Sequence, residues 1–209
     1  AKEILADSEG DQEYFYNFVL GEPYAPGDLK VERTIFVDAW TPRDISTGEW
    51  FLGVDVGNIK HYVLGSEKGI TQIGTFTHWQ DLEELMKRYQ PTLVIDALPE
   101  NEASKYFVEK FAGAYMSYYH SDRDKKEIVK WGEGENQGVV FSDRNRVIDR
   151  VINEFLKGEI LIGVNIDKKF REYIKHWETL RRIKEINSQG IERYAWESTT
   201  KVDHFCHAT

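Results

Sequence analysis

The feature that most constrains this chain is an aspartate set inside an aliphatic strand, and it occurs twice. In WFLGVDVGNIKHYVLG, residues 50–65, Asp55 interrupts the most strand-like apolar run of the sequence. Side chains alternate along a strand, so Leu52, Val54 and Val56 share one face. Asp55 lies on the other, with only Gly53 and Gly57 as near neighbours on that face. In TLVIDALPE the pattern returns: Leu93, Ile95 and Ala97 share a face, and Asp96 points the opposite way with Val94. An unpaired charge in a sheet interior is costly, so such acids are paired, protonated or hold a metal. If the two strands are neighbours with matching faces, the carboxylates converge, and like charges at close range do not both stay ionised without a cation between them. Hard Mg²⁺ or Mn²⁺ suits such a pair, because these ions take oxygen ligands and keep waters for a substrate. Taken singly, each aspartate equally fits a helix cap or a turn acceptor.

A third carboxylate lies near the chain end, in TTKVDHFCHAT. Asp203 and His207 are four apart and share one helical face. The bland reading is a capping box, in which Thr200 and Asp203 close the start of the helix. A carboxylate in the first helical turn still presents an oxygen to a metal, so the two roles are compatible. His207 fits a ligand or a solvated histidine, and His204 reads as incidental.

The bulk properties limit the function classes. The 209 residues suffice for one domain of ordinary size, or a domain with an arm. An apolar fraction of 41% beside 30% charged residues describes a globular chain. No apolar run approaches the ~20 residues that span a bilayer, and the acidic start AKEILADSEG lacks the apolar core of a signal peptide. The single cysteine, Cys206, excludes an internal disulfide framework and a cysteine zinc site. A net charge of −9 argues against a surface coated for nucleic acid. It leaves room for a metal nuclease, because acids grouped in a metal site count against the total while a local basic strip still meets phosphate.

Along the chain, DQEYFYNFVL reads as a helix closed by Gly21 and Pro23, and GEPYAPGD as a loop. TIFVDAW reads as an extended piece. Residues 1–49 are thus expected to form an arm, and residues 50–209 the main domain. Within that domain FLGVDVG and HYVLGSEKGITQIGTFT predict hairpin-connected strands. HWQDLEELMKRYQ, EASKYFVEKFAG, SDRNRVIDRVINEFLKG and FREYIKHWETLRRIKEIN predict helices, the third capped by Ser142 or Asp143 and ended by Gly158. TLVIDALPE, AYMSYYHS and RYAWES predict strands, and TKVDHFCHAT opens a last helix. Antiparallel strands followed by alternating helix and strand give an α/β fold, a mixed sheet with helices on its faces.

The order GVDVG, VIDALPE, SDRNRVIDRVINEFLKGEI and VDHFCHA resembles the nuclease domain of the large terminase subunits of tailed bacteriophages. EYFYNFVLGEPY is similar to the segment that joins the ATPase domain of that family to its nuclease, so the resemblance runs over nearly the whole chain. It implies an RNase H-like fold and a metal-dependent endonuclease that cuts concatemeric viral DNA during genome packaging, by two-metal phosphodiester hydrolysis with two Mg²⁺ or Mn²⁺ ions. Carried over by position, Asp55 matches the acid that bridges two metals, Asp96 the second-strand acid and Asp203 the acid at the start of the final helix. The doubled acid common in that last motif is absent here, since Val202 and His204 flank Asp203, and His207 stands at the later position of the motif as a candidate ligand. The resemblance further implies double-stranded DNA as substrate, the portal or procapsid and the small terminase subunit as partners of the full-length protein, and the host-cell cytoplasm as the setting. No GxxxxGK[ST] phosphate loop occurs, so an ATPase motor is expected upstream of an excised domain.

Phosphate contacts are expected from Lys125, Lys126, Arg144, Arg146, Arg150, Lys168, Lys169, Arg181 or Arg182. Arg144 and Arg146 lead, because they sit at the positive end of a predicted helix. Three rival readings stand beside this one. GVDVGNIKHYVLG also resembles the phosphate loop of the actin, Hsp70 and sugar-kinase group, although the second Gly-rich loop of that group is missing. A Holliday-junction resolvase of RNase H-like fold would use similar chemistry, and a docking module would keep its acids for structure.

Overall fold

Trp50–Asp55 does form a strand, and it lies near the middle of a large sheet. The computed structural model describes residues 30–119, 127–186 and 192–209. In chain order these give α1 (Arg33–Asp38), β1 (Trp50–Asp55), β2 (Lys60–Ser66), β3 (Gly69–Phe76), α2 (Trp79–Tyr89), β4 (Thr92–Asp96), α3 (Asn101–Lys110) and β5 (Ala114–Tyr119). Then come β6 (Val129–Trp131), β7 (Val139–Ser142), α4 (Arg144–Lys157), β8 (Leu161–Ile162), α5 (Lys168–Glu178), β9 (Leu180–Ile186), β10 (Glu192–Ser198) and α6 (His204–Ala208). The helix expected from DQEYFYNFVL and the lysines Lys125 and Lys126 lie outside the described residues.

Eight strands form one mixed sheet in the order β6-β7-β5-β4-β1-β2-β3-β8, and β9 and β10 form a separate two-stranded sheet. The meander β1-β2-β3 is antiparallel, whereas β4, β5 and β7 run parallel to β1. Parallel neighbours need crossover connections, and α2 and α3 supply them between β3, β4 and β5.

Alternation sorts the side chains into two cores. Leu52, Val54, Tyr62, Leu64, Leu93 and Ile95 pack on one face against Leu82 and Met86 of α2 and Phe107 of α3. Val63, Ile70 and Ile73 pack on the other, under Phe36, Ile148, Phe155, Tyr173, Trp177 and Phe205 from α1, α4, α5 and α6. Asp55, His61 and Asp96 project toward this second layer, where α6 closes over the sheet.

Two expectations are corrected. TIFVDAW is helical at Arg33–Asp38 rather than extended, because Ile35, Phe36, Ala39 and Trp40 fall on one helical stripe that enters the core. Phe36 meets Phe155 edge-on at 5.1 Å, and this packing overrides the strand preference of Ile and Val. The helix expected over FREYIKHWETLRRIKEIN stops at Glu178, and Leu180–Ile186 forms β9 against β10. Thr179 turns the chain by donating its hydroxyl to the His176 carbonyl at 2.7 Å, and the Arg181 guanidinium covers the Glu178 carbonyl at 2.6 Å. No helix among the described residues is long and apolar enough to cross a membrane.

Candidate metal centre

The parallel register of β1 and β4 sets Gly53 beside Val94 and Val54 beside Ile95. One step further, Asp55 and Asp96 stand side by side at the two strand ends. Their carboxyl groups share a hydrogen bond in which protonated Asp96 donates to Asp55. Burial, then the Asp55 charge, then that hydrogen bond push the Asp96 pKa up to about 8. Asp96 therefore keeps its proton near neutrality, where an isolated carboxyl would lose it. A divalent cation does the same electrostatic work as that proton, and a pair of hard oxygen donors fits Mg²⁺ or Mn²⁺.

Asp203 stands at the start of α6, next to His204. Its expected capping box does not form: Asp203 is the N-cap residue but makes no side-chain cap hydrogen bond. The buried Nδ1 of His176 on α5 instead accepts from the Phe205 N–H at 3.2 Å and closes the first turn. The Asp203 carboxylate is left free to turn outward. It accepts from the Arg144 guanidinium at 3.1 Å and meets His207 Nε2 at 3.2 Å. Burial alone would raise its pKa, but His207 and Arg144 outweigh that and hold it below the usual carboxylate range. The other His207 nitrogen, Nδ1, meets the Tyr119 hydroxyl at 2.9 Å, so these contacts engage both ring nitrogens. Burial, followed by the nearby Asp96, Asp55 and Asp203 charges, pushes the Tyr119 hydroxyl far up, while Arg144 opposes them. That one hydroxyl lies within electrostatic reach of all three aspartates.

Sequence reasoning missed two histidines. His204 Nδ1 lies 2.8 Å from Asp55 Oδ2, and the His204 ring stacks on His61 at 4.6 Å. His61 is the direct cross-strand partner of Asp55 in the β1-β2 hairpin. Burial, with the neighbouring His204, His176 and Lys169 charges, lowers the His61 pKa to about 4, so the ring is neutral. Among the described residues, Asp55, His61 and His204 form one group of candidate donors within 4.8 Å of one another, and His61, Glu172 and His176 form another. The three aspartates do not form such a group.

The basic candidates are mostly committed within the protein. Arg144, the first residue of α4 after the Asp143 cap, holds both Asp203 and the Trp196 carbonyl, the latter at 2.5 Å. Arg150 pairs with Glu154, Lys169 with Glu172 and Thr75, and Arg182 with Asp149.

A mixed sheet whose first three strands form a meander, with β4 and β5 added parallel to β1, is consistent with an RNase H-like fold. Among solved structures, the nuclease domain of the large terminase subunit gp2 of bacterial virus Sf6 is similar at a TM-score of 0.61 and 9% identity, over 85% of this chain and 95% of that one. A point mutant of the same Sf6 domain, solved with manganese and beta-thujaplicinol, matches at a TM-score of 0.58 and 11% identity over the same shares. No family model and no curated protein matches the sequence.

Proposed function

We propose that this domain is a divalent-metal-dependent endodeoxyribonuclease of viral genome packaging that hydrolyses phosphodiester bonds in concatemeric double-stranded DNA. The observation that carries this reading is the placement of Asp55 and Asp96 side by side at the ends of neighbouring parallel strands, on the face that α6 covers. Likeness in fold to a terminase nuclease domain supports it, as does the manganese in one of the Sf6 structures.

In this reading Asp55 and Asp96 hold the ions, and Asp203 completes the acidic set from the opposite side. When bound, divalent ions supply Lewis-acid polarisation of the phosphodiester and acidification of the attacking water. The rest falls to the protein. Rigid strand ends fix the Asp55 and Asp96 oxygens, as a metal-dependent site requires. Arg144 and His207 orient Asp203 and keep it ionised. Arg144, Arg146, Lys125 and Lys126 are the residues proposed for phosphate contact, Arg144 while also holding Asp203. The portal or procapsid and the small terminase subunit are the partners proposed for the full-length protein, in the host-cell cytoplasm.

Incubation with supercoiled plasmid in Mn²⁺, in Mg²⁺ and in EDTA tests the proposal. Metal-dependent nicking and linearisation, lost in Asp55→Asn, is the expected result. Full cleavage by a well-folded Asp55→Asn protein would overturn the assignment.

A further inference from the structure

Asp55 has nitrogen donors around it that an all-carboxylate site does not explain. The hairpin register places His61 directly opposite Asp55, with both side chains on the same face. From above, the first residue of α6 brings His204 Nδ1 to 2.8 Å from Asp55 Oδ2 and lays its ring over His61. His61 is 7% exposed, and its Nδ1 is buried without a hydrogen-bond partner. An unpaired buried ring nitrogen is unfavourable unless something binds it.

The second group, His61, Glu172 and His176, is excluded by proton bookkeeping. His176 Nδ1 accepts the Phe205 N–H, so the neutral ring carries its proton on Nε2 and has no lone pair left for an ion. His204 Nδ1 donates to the Asp55 carboxylate, so an ion that takes the place of that proton would meet the nitrogen lone pair, and His61 Nδ1 has no hydrogen-bond partner.

We infer that His204 and His61 supply imidazole nitrogens to the ion held by Asp55, making a mixed nitrogen–oxygen site that takes first-row transition ions in preference to Mg²⁺. The inference rests on the metal-nuclease reading and narrows it. Imidazole is a poor ligand for hard Mg²⁺ and a good one for the later transition ions, and affinity at such a site rises from Mn²⁺ toward Co²⁺.

Pulsed electron paramagnetic resonance of the protein loaded with Mn²⁺ alone reads the ligands directly and needs no cleavage. The expected result is nitrogen modulation that moves to the ¹⁵N frequency when only the histidines are labelled, and that shrinks in His204→Ala. His78→Ala, at an exposed loop position far from Asp55 in the chain, should leave it unchanged. By calorimetry, His204→Ala should weaken Co²⁺ binding by about tenfold or more while Mg²⁺ binding stays close to that of the parent protein. His61 is buried, so its removal tests folding as much as ligation, and the labelling experiment on the unaltered chain covers that residue. Bound Mn²⁺ without histidine nitrogen coupling would overturn the inference, and metal-dependent plasmid cleavage in the same preparation would leave the nuclease reading standing. Histidine coupling without cleavage would support the ligand set and count against the nuclease. Failure to bind Mn²⁺ or Co²⁺ at all would overturn the inference.

Discussion

Gly53 and Gly57 flank Asp55 symmetrically in the sequence, yet only one of them is sterically required. A Cβ added to Gly53 would lie 2.0 Å from the Ala208 carbonyl oxygen and 2.8 Å from its carbonyl carbon, where ordinary contact begins at 3.4 Å. Neither atom belongs to a flexible side chain, so α6 and β1 must separate by more than 1 Å. Little else can give way, because Phe205 is fully buried against Tyr173 and His176 holds the first turn of α6. Overpacking of this kind costs about 1–3 kcal/mol, which lowers the melting temperature of a chain of this size by roughly 3–10 °C. The displacement carries Asp203, His204 and His207 with it, and a misplacement of about 1 Å at a catalytic site costs on the order of a hundredfold in rate. Gly53→Ala should therefore fold, melt earlier, lose nearly all plasmid cleavage and lose most of its Mn²⁺-induced thermal shift. Gly57→Ala is the control: its Cβ would meet only the Ile59 carbonyl at 3.4 Å, and its activity should stay near that of the parent protein. A Gly53→Ala protein with unchanged cleavage and stability would refute the packing of α6 on β1 as the device that positions Asp203.

Asp96→Asn should melt at the same temperature as the parent protein or higher in EDTA, since an amide replaces a carboxyl that is held protonated beside Asp55, and it should abolish the metal-induced thermal shift; a marked loss of metal-free stability would show that the pair is structural. His176→Phe should cost about 1–2 kcal/mol in urea denaturation by leaving the Phe205 amide uncapped, whereas His176→Asn, which keeps an acceptor there, should cost less. Glu100→Gln weakens the ion pair of buried Lys60, 2.6 Å away, and should cost about 1–2 kcal/mol, a figure reduced because the Glu100 end is open to solvent. The Lys60 hydrogen bond holds the Glu100 pKa below its unfolded value of about 4.3. The folded state therefore favours the carboxylate, and its contribution is fully present above that unfolded value and fades as the pH falls through the folded one. The stability gap between parent and Glu100→Gln should be constant from pH 5 to 8 and close on further acidification, and a gap that widened in acid would contradict the sign.

Much of the fold was legible because its signals are local. The alternation at Leu52, Val54 and Val56 and the Asp143 and Gly158 caps of α4 identify their elements without reference to anything distant. The errors fell where distant contacts decide. Arg33–Asp38 is helical because Phe36 finds Phe155 and Tyr173, more than a hundred residues away. Leu180–Ile186 is a strand because β10 pairs with it, although LRRIKEI carries charges that suit a helix equally well. The site divides in the same way. The Asp55–Asp96 pair follows from two strand patterns and one assumption of adjacency. His204 required the three-dimensional closure of α6 over β1 and β2. His61 was within reach of the sequence, since a hairpin centred on Asn58 pairs it with Asp55, but reading a strand for its pattern does not fix its register.

The start of α6 shows why local rules mislead at such a site. An aspartate at an N-cap ordinarily spends its side chain on the first-turn amides, and the sequence around Thr200 invites that reading. Here the Phe205 amide is satisfied by a histidine from another helix, while Arg144 and His207 take the carboxylate. The helix keeps its cap and the aspartate keeps its charge, at the expense of burying a neutral imidazole whose pKa is lowered chiefly by desolvation. A chain selected for stability alone would gain nothing from this exchange, since Asp203 could cap the turn by itself. An ionised Asp203 held outside the cap by Arg144 and His207 is what the proposed metal-nuclease function would call for.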